Sequence, residues 1–241
     1  MDDAKRFVES KISPIDIEYR RVEFFETTDK VLRTSLTVNS LELGVLNYES
    51  YRFVARRSKL ADQLTRRHLK KLLRKIPDLL EEDSTIDFFT LPVYVRSLFD
   101  GGLKDILAEE LSLHPEASPS KLCIELSADM LYEDLETAKK RIAEIREFGI
   151  KIAIFEVGDS FCPIFRLSEL DFDLAFLDSY SVDSLATSDR EKIAGSLTKY
   201  LHCLGVKVFT PHLDSPEKLE GARLVGIDGH TLNTGGAEDG Q

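Results

Sequence analysis

Cysteines, long apolar runs and excess positive charge are all scarce or absent in this chain of 241 residues. The three cysteines, Cys123, Cys162 and Cys203, are an odd number without Cys-x-x-Cys spacing, which argues against a disulfide framework and favours buried thiols in a reducing compartment. No apolar run approaches the roughly 18 residues of a membrane span. Residues 1–10 are charged and lack the apolar core of a signal peptide. We therefore expect a soluble, cytoplasmic protein without membrane contact.

The charge balance disfavours non-specific binding to nucleic acid or to an anionic membrane, because 32 Lys and Arg face 43 Asp and Glu, a formal net charge of −11. One basic segment, residues 56–75, departs from this balance. It could dock an acidic partner or a phosphate backbone, or it could be the solvated face of a helix whose Leu64, Leu72 and Ile76 pack inward, which is the favoured reading. The candidate partner surface consists of basic side chains: Arg56, Arg57, Arg66, Arg67, Lys70, Lys71 and Arg74.

Residues 121–178 have the clearest secondary-structure pattern. Apolar residues recur at helical spacing from Leu135 to Phe148, and Gly149 ends this helix between two apolar runs, residues 122–126 and 150–155. This pattern predicts a βαβ crossover, which requires parallel strands that are buried on both faces.

The beginning of the chain predicts a strand of the opposite direction. Residues 17–25 and 31–38 are β-rich and are joined by four turn-like residues, 26–29, which is too short for a parallel connection. Further strands are predicted at residues 88–93, 122–126, 150–155, 174–177, 206–209 and 224–227. Helices are predicted at residues 47–57, 61–80, 95–113, 133–148, 163–170, 189–204 and 216–222. Eight strands fit a closed (β/α)8 barrel, with an open doubly wound sheet as the alternative.

Three segments resemble motifs of the EAL domain, a family of bacterial phosphodiesterases that open cyclic di-GMP with two divalent cations. They are residues 121–128, 152–160 and 172–178, in the family's order and spacing. The resemblance extends from about residue 17 to 230. It implies an α/β fold, a TIM-like (β/α)8 barrel of EAL type with the first strand antiparallel to the others. The expected organisation is a lead-in at 1–16, a degenerate EAL domain at 17–233 and a disordered tail at 234–241.

The resemblance also implies Mg2+ or Mn2+ held by carboxylates and an asparagine at the carboxyl ends of the strands, but most matching positions carry other residues. With residues 30–39 aligned to the signature strand, the positions of ligands and catalytic groups are occupied by Thr34, Val38, Pro92, Phe155, Phe176 and Thr210. The carboxylates that remain as residual ligand-binding positions are Glu125, Glu156, Asp178 and Asp228. Glu125 is the candidate for a single-metal site with Glu156 and Asp178, although carboxylates that are simply solvated or paired with a neighbouring Lys or Arg are favoured.

The phenylalanines near these positions have two interpretations. Phe155, Phe161, Phe165 and Phe176 either fill the barrel mouth, which is the simpler account, or present an apolar binding patch.

The resemblance and its missing groups together predict a catalytically inactive EAL protein, with no catalytic residues and no metal or other cofactor. Such a protein would act as a regulatory protein-interaction module in bacterial signalling, in the control of motility, biofilm or virulence. Its protein partner is not specified by the sequence, and the family implies that it could also pair as a homodimer. The alternatives are a cyclic di-GMP receptor that binds without hydrolysis and a residual cyclic di-GMP phosphodiesterase.

Overall fold

A single sheet is the centre of the computed structural model, which describes residues 13–40, 44–55, 60–100, 102–159, 162–179 and 188–232. The strands in these ranges are β1 (Ser13–Phe24), β2 (Lys30–Ser40), β3 (Gly44–Leu46), β4 (Ile86–Val93), β5 (Leu122–Ser127), β6 (Lys151–Val157), β7 (Leu174–Leu177), β8 (Lys207–Thr210) and β9 (Gly229–Thr231). The α-helices are α1 (Tyr48–Ala55), α2 (Leu60–Glu82), α3 (Val95–Phe99), α4 (Gly102–Leu113), α5 (Leu135–Arg146), α6 (Ser188–Cys203) and α7 (Pro216–Leu224). Short 3-10 helices lie at Pro119–Lys121, Ala128–Tyr132 and Ile164–Glu169.

The strands close into a barrel in the order β1-β9-β8-β7-β6-β5-β4-β2, and the pairing of β1 with β2 completes the ring. β1 is antiparallel to both of its neighbours, whereas every other neighbouring pair in the ring is parallel. The predicted (β/α)8 barrel with an antiparallel first strand is therefore confirmed, and the doubly wound sheet is excluded. The additional strand β3, which the sequence did not predict, pairs with the end of β2 so that Val38 faces Leu46.

The seam between β1 and β9 depends on a glycine. A Cβ atom at Gly229 would lie 2.2 Å from the carbonyl oxygen of Glu23, a distance that no side chain tolerates. Gly229 therefore allows the two backbones to approach closely enough to close the ring.

Apolar side chains fill the barrel interior and, separately, the layer between the strands and the helices. The interior cluster consists of Val22, Val31, Phe88, Cys123, Ala153, Phe155, Leu174, Phe176 and Phe209. In the outer layer, the longest helix α2 buries Leu64, Leu72 and Ile76 against the sheet, as its spacing predicts. No helix in the described ranges is long and apolar enough to cross a membrane.

Several predicted boundaries differ from the structure. The last strand was predicted at 224–227, which is wrong: α7 continues to Leu224, Gly226 turns the chain at φ +82°, and β9 begins at Gly229. The helix predicted at 95–113 is divided into α3 and α4, at the point where two consecutive glycines lower helix propensity. β1 begins at Ser13, inside the predicted lead-in at 1–16, whereas residues 1–12 and the tail at 234–241 lie outside the described residues.

The cysteines do not share one environment. Cys123 is buried inside the barrel, where burial raises the pKa of its thiol well above the usual value. Cys162 is half-buried and Cys203 is exposed on α6, so the prediction of buried thiols holds for Cys123 but is wrong for Cys203.

Candidate functional site

The carboxyl ends of the parallel strands form the barrel mouth, where sites occur in barrels of this architecture. We define the mouth by the inward-facing residues Arg33 of β2, Pro92 of β4, Glu125 of β5, Phe155 of β6 and Phe176 of β7. In the pairing register Pro92 lies beside Glu125, whereas Arg33 lies beside Thr90 and Phe155 beside Ser127.

Arg33 and Glu125 form the central contact of the mouth. The Nε and one terminal nitrogen (Nη2) of Arg33 each donate to a different carboxylate oxygen of Glu125, both at 2.7 Å. The Glu125 side chain is 4% exposed and that of Arg33 is 24% exposed, so the pair is shielded from water. Burial acts to lower the pKa of Arg33, but the Glu125 carboxylate outweighs it and holds that pKa above the usual value. The Arg33 guanidinium is therefore charged.

The aromatic ring of Phe176 supports this guanidinium. The Arg33 guanidinium carbon lies 4.0 Å from the centre of the Phe176 ring, a cation–π geometry. Phe176 is buried and packs on Phe209 of β8 at 5.5 Å between ring centres. The position matched to a lysine in the family is thus part of an apolar floor beneath Arg33.

The alignment of β2 in the sequence analysis is wrong. Leu36 and Val38 belong to the outer core, and the Thr34 hydroxyl lies 2.8 Å from Nε2 of His68 on α2. Because side chains alternate across a strand, Arg33 and Ser35 face the mouth instead. Thr34 and Val38 are therefore not the residues that replace the inward-facing ligands.

A second arginine holds Glu156. Arg52 of α1 forms ion pairs with Glu156 at 2.5 Å and with Glu49 at 2.7 Å, and Ser127 of β5 donates to Glu156 at 2.7 Å. Glu156 has φ +64°, a left-handed conformation that is unusual for a residue with a side chain. The irregular pairing of β6 with β7 at this point places the Glu156 carboxylate beside α1.

Of the four predicted carboxylate positions, the structure places Glu125, Glu156 and Asp178 at the carboxyl ends of the strands, and Asp178 directly follows β7. Glu125 and Glu156 are each paired with an arginine, Arg33 and Arg52, which is one of the two arrangements that the favoured interpretation allowed. Asp228 is wrongly predicted: it precedes β9 at the opposite end of the barrel, where it accepts from the Val208 backbone N–H at 2.7 Å and contacts His202 at 2.8 Å. Asp228 thus orders the amino ends of β8 and β9.

The mouth contains an open pocket of about 70 Å3, whose polar lining residues are Arg20, Arg33, Thr34, Ser35, Tyr48, Glu49 and Glu125. Arg20 of β1 lies opposite Arg33 in the strand register. Burial raises the pKa of the Tyr48 phenol, so that it remains protonated. The pocket therefore combines two guanidinium groups with two carboxylates and neutral hydroxyl groups.

The residues of the mouth do not supply the oxygen ligands that two divalent cations need. Mg2+ and Mn2+ bind through several carboxylate, amide or water oxygens. Glu125 is already bonded through both oxygens, and its neighbours Pro92 and Phe155 supply no side-chain oxygen. Within the described ranges, no group of three or more His, Cys, Asp and Glu is arranged to hold a metal ion.

The basic segment lies apart from the mouth. Arg56 and Arg57 are outside the described residues. On α2, Arg66 pairs with Glu109 at 2.6 Å and Glu110 at 3.3 Å, whereas Arg67, Lys70 and Arg74 are exposed. The favoured reading of α2 as an amphipathic helix with a solvated face agrees with its buried apolar stripe.

The phenylalanines that were predicted either to fill the barrel mouth or to present an apolar patch do not all behave alike. Phe155 and Phe176 fill the interior at 8% and 2% exposure, as the simpler interpretation predicts. Phe165, on the 3-10 helix at Ile164–Glu169, is 88% exposed and does not fill anything. Phe161 lies outside the described residues.

Arg33, Arg52 and Tyr48 are the site residues that the sequence interpretation missed. A signal for Arg33 exists in the alternation of residues 31–39, where Leu32, Thr34, Leu36 and Val38 form one side of the strand. Arg52 and Tyr48 have no comparable signal, because their position depends on how α1 packs over the mouth.

The fold and the position of the mouth identify a class of (β/α)8 barrel. In this class the first strand is antiparallel to the others, and the site lies at the carboxyl ends of the parallel strands. The family model described as the EAL domain matches residues 31–230. The chain therefore belongs to the EAL domain family.

Two solved structures share this fold. One, the "FimX EAL domain from Pseudomonas aeruginosa bound to c-di-GMP", has a TM-score of 0.77 at 19% identity, and the match covers 90% of this chain and 87% of that one. The other, the "PaMucR Phosphodiesterase, c-di-GMP complex", has a TM-score of 0.81 at 16% identity, with 96% and 93% covered. At these identities the likeness concerns the fold alone.

Two curated proteins match in sequence. An uncharacterized protein of Mycobacterium tuberculosis H37Rv, Rv1354c, is 31% identical over 108 residues, which are 44% of this chain and 17% of that protein. The cyclic di-GMP phosphodiesterase PdeA of Borreliella burgdorferi is 22% identical over 161 residues, which are 66% of this chain and 24% of that protein. The chain thus spans less than a quarter of the length of these relatives.

Proposed function

We propose that this chain is an EAL domain of cyclic di-GMP signalling that does not hydrolyse the nucleotide and acts through contacts with a protein partner. The observation that carries the proposal is the bidentate contact between Arg33 and Glu125 above the Phe176 ring. In active members, as the family resemblance implies, a carboxylate at the Glu125 position binds a divalent cation. Here a guanidinium neutralises it.

The energetics of that contact oppose metal binding at Glu125. A cation at the carboxylate would compete with the Arg33 guanidinium, which already bonds both oxygens, and the two like charges would repel each other in a site shielded from water. Pro92 and Phe155 would contribute no ligand oxygen in return. A water activated by two metals, on which phosphodiester hydrolysis in such sites depends, therefore has no support from these residues.

A contact surface for a partner is available beside the mouth. Phe165 is 88% exposed and Tyr132 is 59% exposed, and their two 3-10 helices are joined by a hydrogen bond from Arg166 to the Leu131 carbonyl. Exposed aromatic side chains are enriched at the energetic centres of protein interfaces. The proposal therefore assigns the partner contact to Phe165 and Tyr132, with the exposed cations of α2 as a separate candidate surface.

The output of the module is proposed from the family alone: the control of motility, biofilm or virulence programmes by a cytoplasmic regulator without a bound Mg2+ or Mn2+. The three free cysteines are compatible with the reducing environment of that compartment.

A calorimetric titration with cyclic di-GMP, with and without Mn2+, tests the proposal when the nucleotide is also analysed for linear product. We expect no linear product above the level of a Glu125→Gln variant. Metal-dependent turnover that disappears in Glu125→Gln would instead establish a residual phosphodiesterase and refute the proposal.

The contact with a partner is tested separately by quantitative affinity capture from the source organism. The wild-type chain is compared with Phe165→Ser and with Arg67→Ser, which changes an exposed residue on α2. We expect a specific protein to be lost with Phe165→Ser and retained with Arg67→Ser. Equal capture by all three chains would remove Phe165 from the proposed interface.

A second candidate function, a cyclic di-GMP receptor without hydrolysis, is favoured by the mouth pocket. The loss of an arginine at Val38 had argued against phosphate binding, but Arg20 and Arg33 supply guanidinium groups from other positions. Arginine donors are suited to phosphate oxygens. Saturable binding without product, weakened at least about tenfold by Arg20→Ala and unaffected by Arg67→Ala, would favour this function over the first.

A further inference from the structure

A second cavity lies at the amino ends of the strands, opposite the mouth. It has a volume of about 420 Å3, and its lining includes two cations, Lys207 and Arg223, two carboxylates, Glu26 and Asp228, and the apolar side chains of Phe24 and Ile227. We call it the amino-end pocket. The segments that form it, the turn at residues 25–29, the start of β8 and the turn at 225–228, are all in the described part of the chain.

Two cations of this pocket are held against aromatic rings. The Nζ atom of Lys207 lies 4.9 Å from the centre of the Phe24 ring, and the guanidinium of Arg223 lies 4.3 Å from that of Phe25. Phe25 is in turn stacked on His230 at 5.4 Å. In the described ranges, neither Lys207 nor Arg223 forms a salt bridge or a side-chain hydrogen bond. The N–H groups of Lys207 and Arg223 are therefore positioned by contact with the rings and remain available to donate hydrogen bonds.

Two carboxylates, Asp228 and Glu26, lie near Lys207 and Arg223 and differ in how far they are already bonded. Asp228 accepts from the Val208 backbone N–H at 2.7 Å, and the same oxygen, Oδ2, lies 2.8 Å from His202. Its charge is thus partly used in ordering β8. Glu26 also lines the pocket, from the exposed turn between β1 and β2. Lys207 and Arg223 are held against rings with no bond to either carboxylate within the described ranges, so their donors can bind an anionic group.

We propose that the amino-end pocket binds a small organic anion, a molecule in which a phosphate or carboxylate group is attached to an apolar body. The anionic group would be bound by Lys207 and Arg223, which can donate charge-assisted hydrogen bonds. The apolar body would pack against Phe24 and Ile227. The volume is within the range of small-molecule sites, which combine apolar walls with a few polar groups.

This site is independent of the proposed function. It shares no lining residue with the mouth pocket, and the packed interior cluster that includes Phe88, Phe176 and Phe209 lies inside the barrel between its two ends. A ligand at the amino end could therefore be bound whether or not cyclic di-GMP binds at the mouth.

Calorimetry with three related probes tests the proposal on the full chain. Phenyl phosphate carries both the anion and an apolar group, inorganic phosphate carries the anion alone, and benzyl alcohol carries the apolar group alone. We expect saturable binding of phenyl phosphate, at least about tenfold tighter than that of either comparison probe.

Matched variants locate the binding. Lys207→Gln and Arg223→Gln should each weaken binding of phenyl phosphate about tenfold or more, because each removes one charged donor. Thr27→Trp, at the rim of the pocket, should block binding without removing a cation. Lys199→Gln on the exposed face of α6 and Arg20→Ala at the mouth should leave the affinity unchanged.

The outcomes are distinct. No saturable binding of phenyl phosphate to the wild-type chain would overturn the proposal, as would binding that survives the Lys207→Gln/Arg223→Gln double variant. Loss of binding with Arg20→Ala alone would assign the phosphate to the mouth pocket and equally contradict the proposal. Thermal unfolding of each variant separates loss of affinity from loss of fold.

Discussion

Arg33 and Glu125 are 92 residues apart in the chain and meet at the barrel mouth through two hydrogen bonds of 2.7 Å. The contact passes over β4, which lies between β2 and β5 and presents Pro92 at this level. Because proline has no polar side chain to compete, the arginine reaches the carboxylate directly. A residue from the first hairpin thus neutralises the carboxylate that the family resemblance marks as a metal ligand.

The first prediction concerns the stability of this pair. Arg33→Ala leaves the buried Glu125 charge without a partner, and we expect it to lower the free energy of unfolding by about 3–5 kcal/mol. The double variant Arg33→Met/Glu125→Leu removes both charges and fills similar volume, so it should lose much less. Urea unfolding monitored by circular dichroism measures both. If the single and double variants were equally destabilised, the contribution would come from packing and not from the ion pair.

The second prediction concerns the backbone at Glu156, which has φ +64°. Glu156→Asn and Glu156→Val both remove the ion pair with Arg52, but Asn tolerates the left-handed region and a β-branched residue does not. We expect Glu156→Val to be less stable than Glu156→Asn by about 1–2 kcal/mol in urea unfolding. Equal stabilities would indicate that the chain relaxes to an ordinary φ at this position.

The third prediction is a pH dependence from His68. Burial lowers the pKa of this imidazole to about 3, from 6.5 in the unfolded chain. Below pH 6.5 the unfolded chain therefore binds a proton that the folded chain does not. The contribution of His68 to stability is complete above pH 6.5 and is lost progressively as the pH falls towards 3.

The measurement is the free energy of unfolding between pH 7 and pH 4.5. From this group alone we expect a loss of about 1.4 kcal/mol per pH unit below pH 6. His68→Asn should flatten the profile by that amount. A wild-type slope that is unchanged in His68→Asn would contradict the buried neutral imidazole.

The fourth prediction concerns the closure of the barrel. Gly229→Ala places a methyl group 2.2 Å from the Glu23 carbonyl oxygen, so the β1–β9 seam must shift. We expect a loss of about 2–4 kcal/mol, in the range of severe steric substitutions. Gly195→Ala on α6 is the matched control, because its Cβ would approach Val225 no closer than 3.4 Å and alanine favours a helix. A Gly229→Ala chain as stable as the wild type would show that the seam can open without cost.

Much of the barrel could be predicted from the sequence, because its signals are local. The four-residue turn at 26–29 permits only an antiparallel hairpin, and Gly149, which has φ +79°, ends the helix before β6. The last strand was misplaced because residues 224–227 are apolar, yet the chain turns at Gly226 before pairing begins at Gly229.

The site was less predictable, because it depends on which side of each strand faces the interior. A shift of one residue in β2 exchanges Thr34 for Arg33 at the mouth, and the motif alignment alone did not detect it. Asp228 was misplaced because it precedes β9 and lies at the amino end of that strand, where it binds the Val208 backbone. The contact of Arg52 with Glu156 depends on the packing of α1 over the mouth, which no local pattern specifies.

The central claim, that Arg33 occupies Glu125 so that divalent cations do not bind at the mouth, is tested most directly by titrating the protein with Mn2+. Electron paramagnetic resonance reports the free Mn2+ ion in solution. We predict that the free-ion signal in the presence of equimolar wild-type chain equals that of buffer, with no difference between the wild type and Glu125→Gln. Stoichiometric loss of the signal with the wild type, restored by Glu125→Gln, would show that Glu125 binds metal despite Arg33 and would contradict the account.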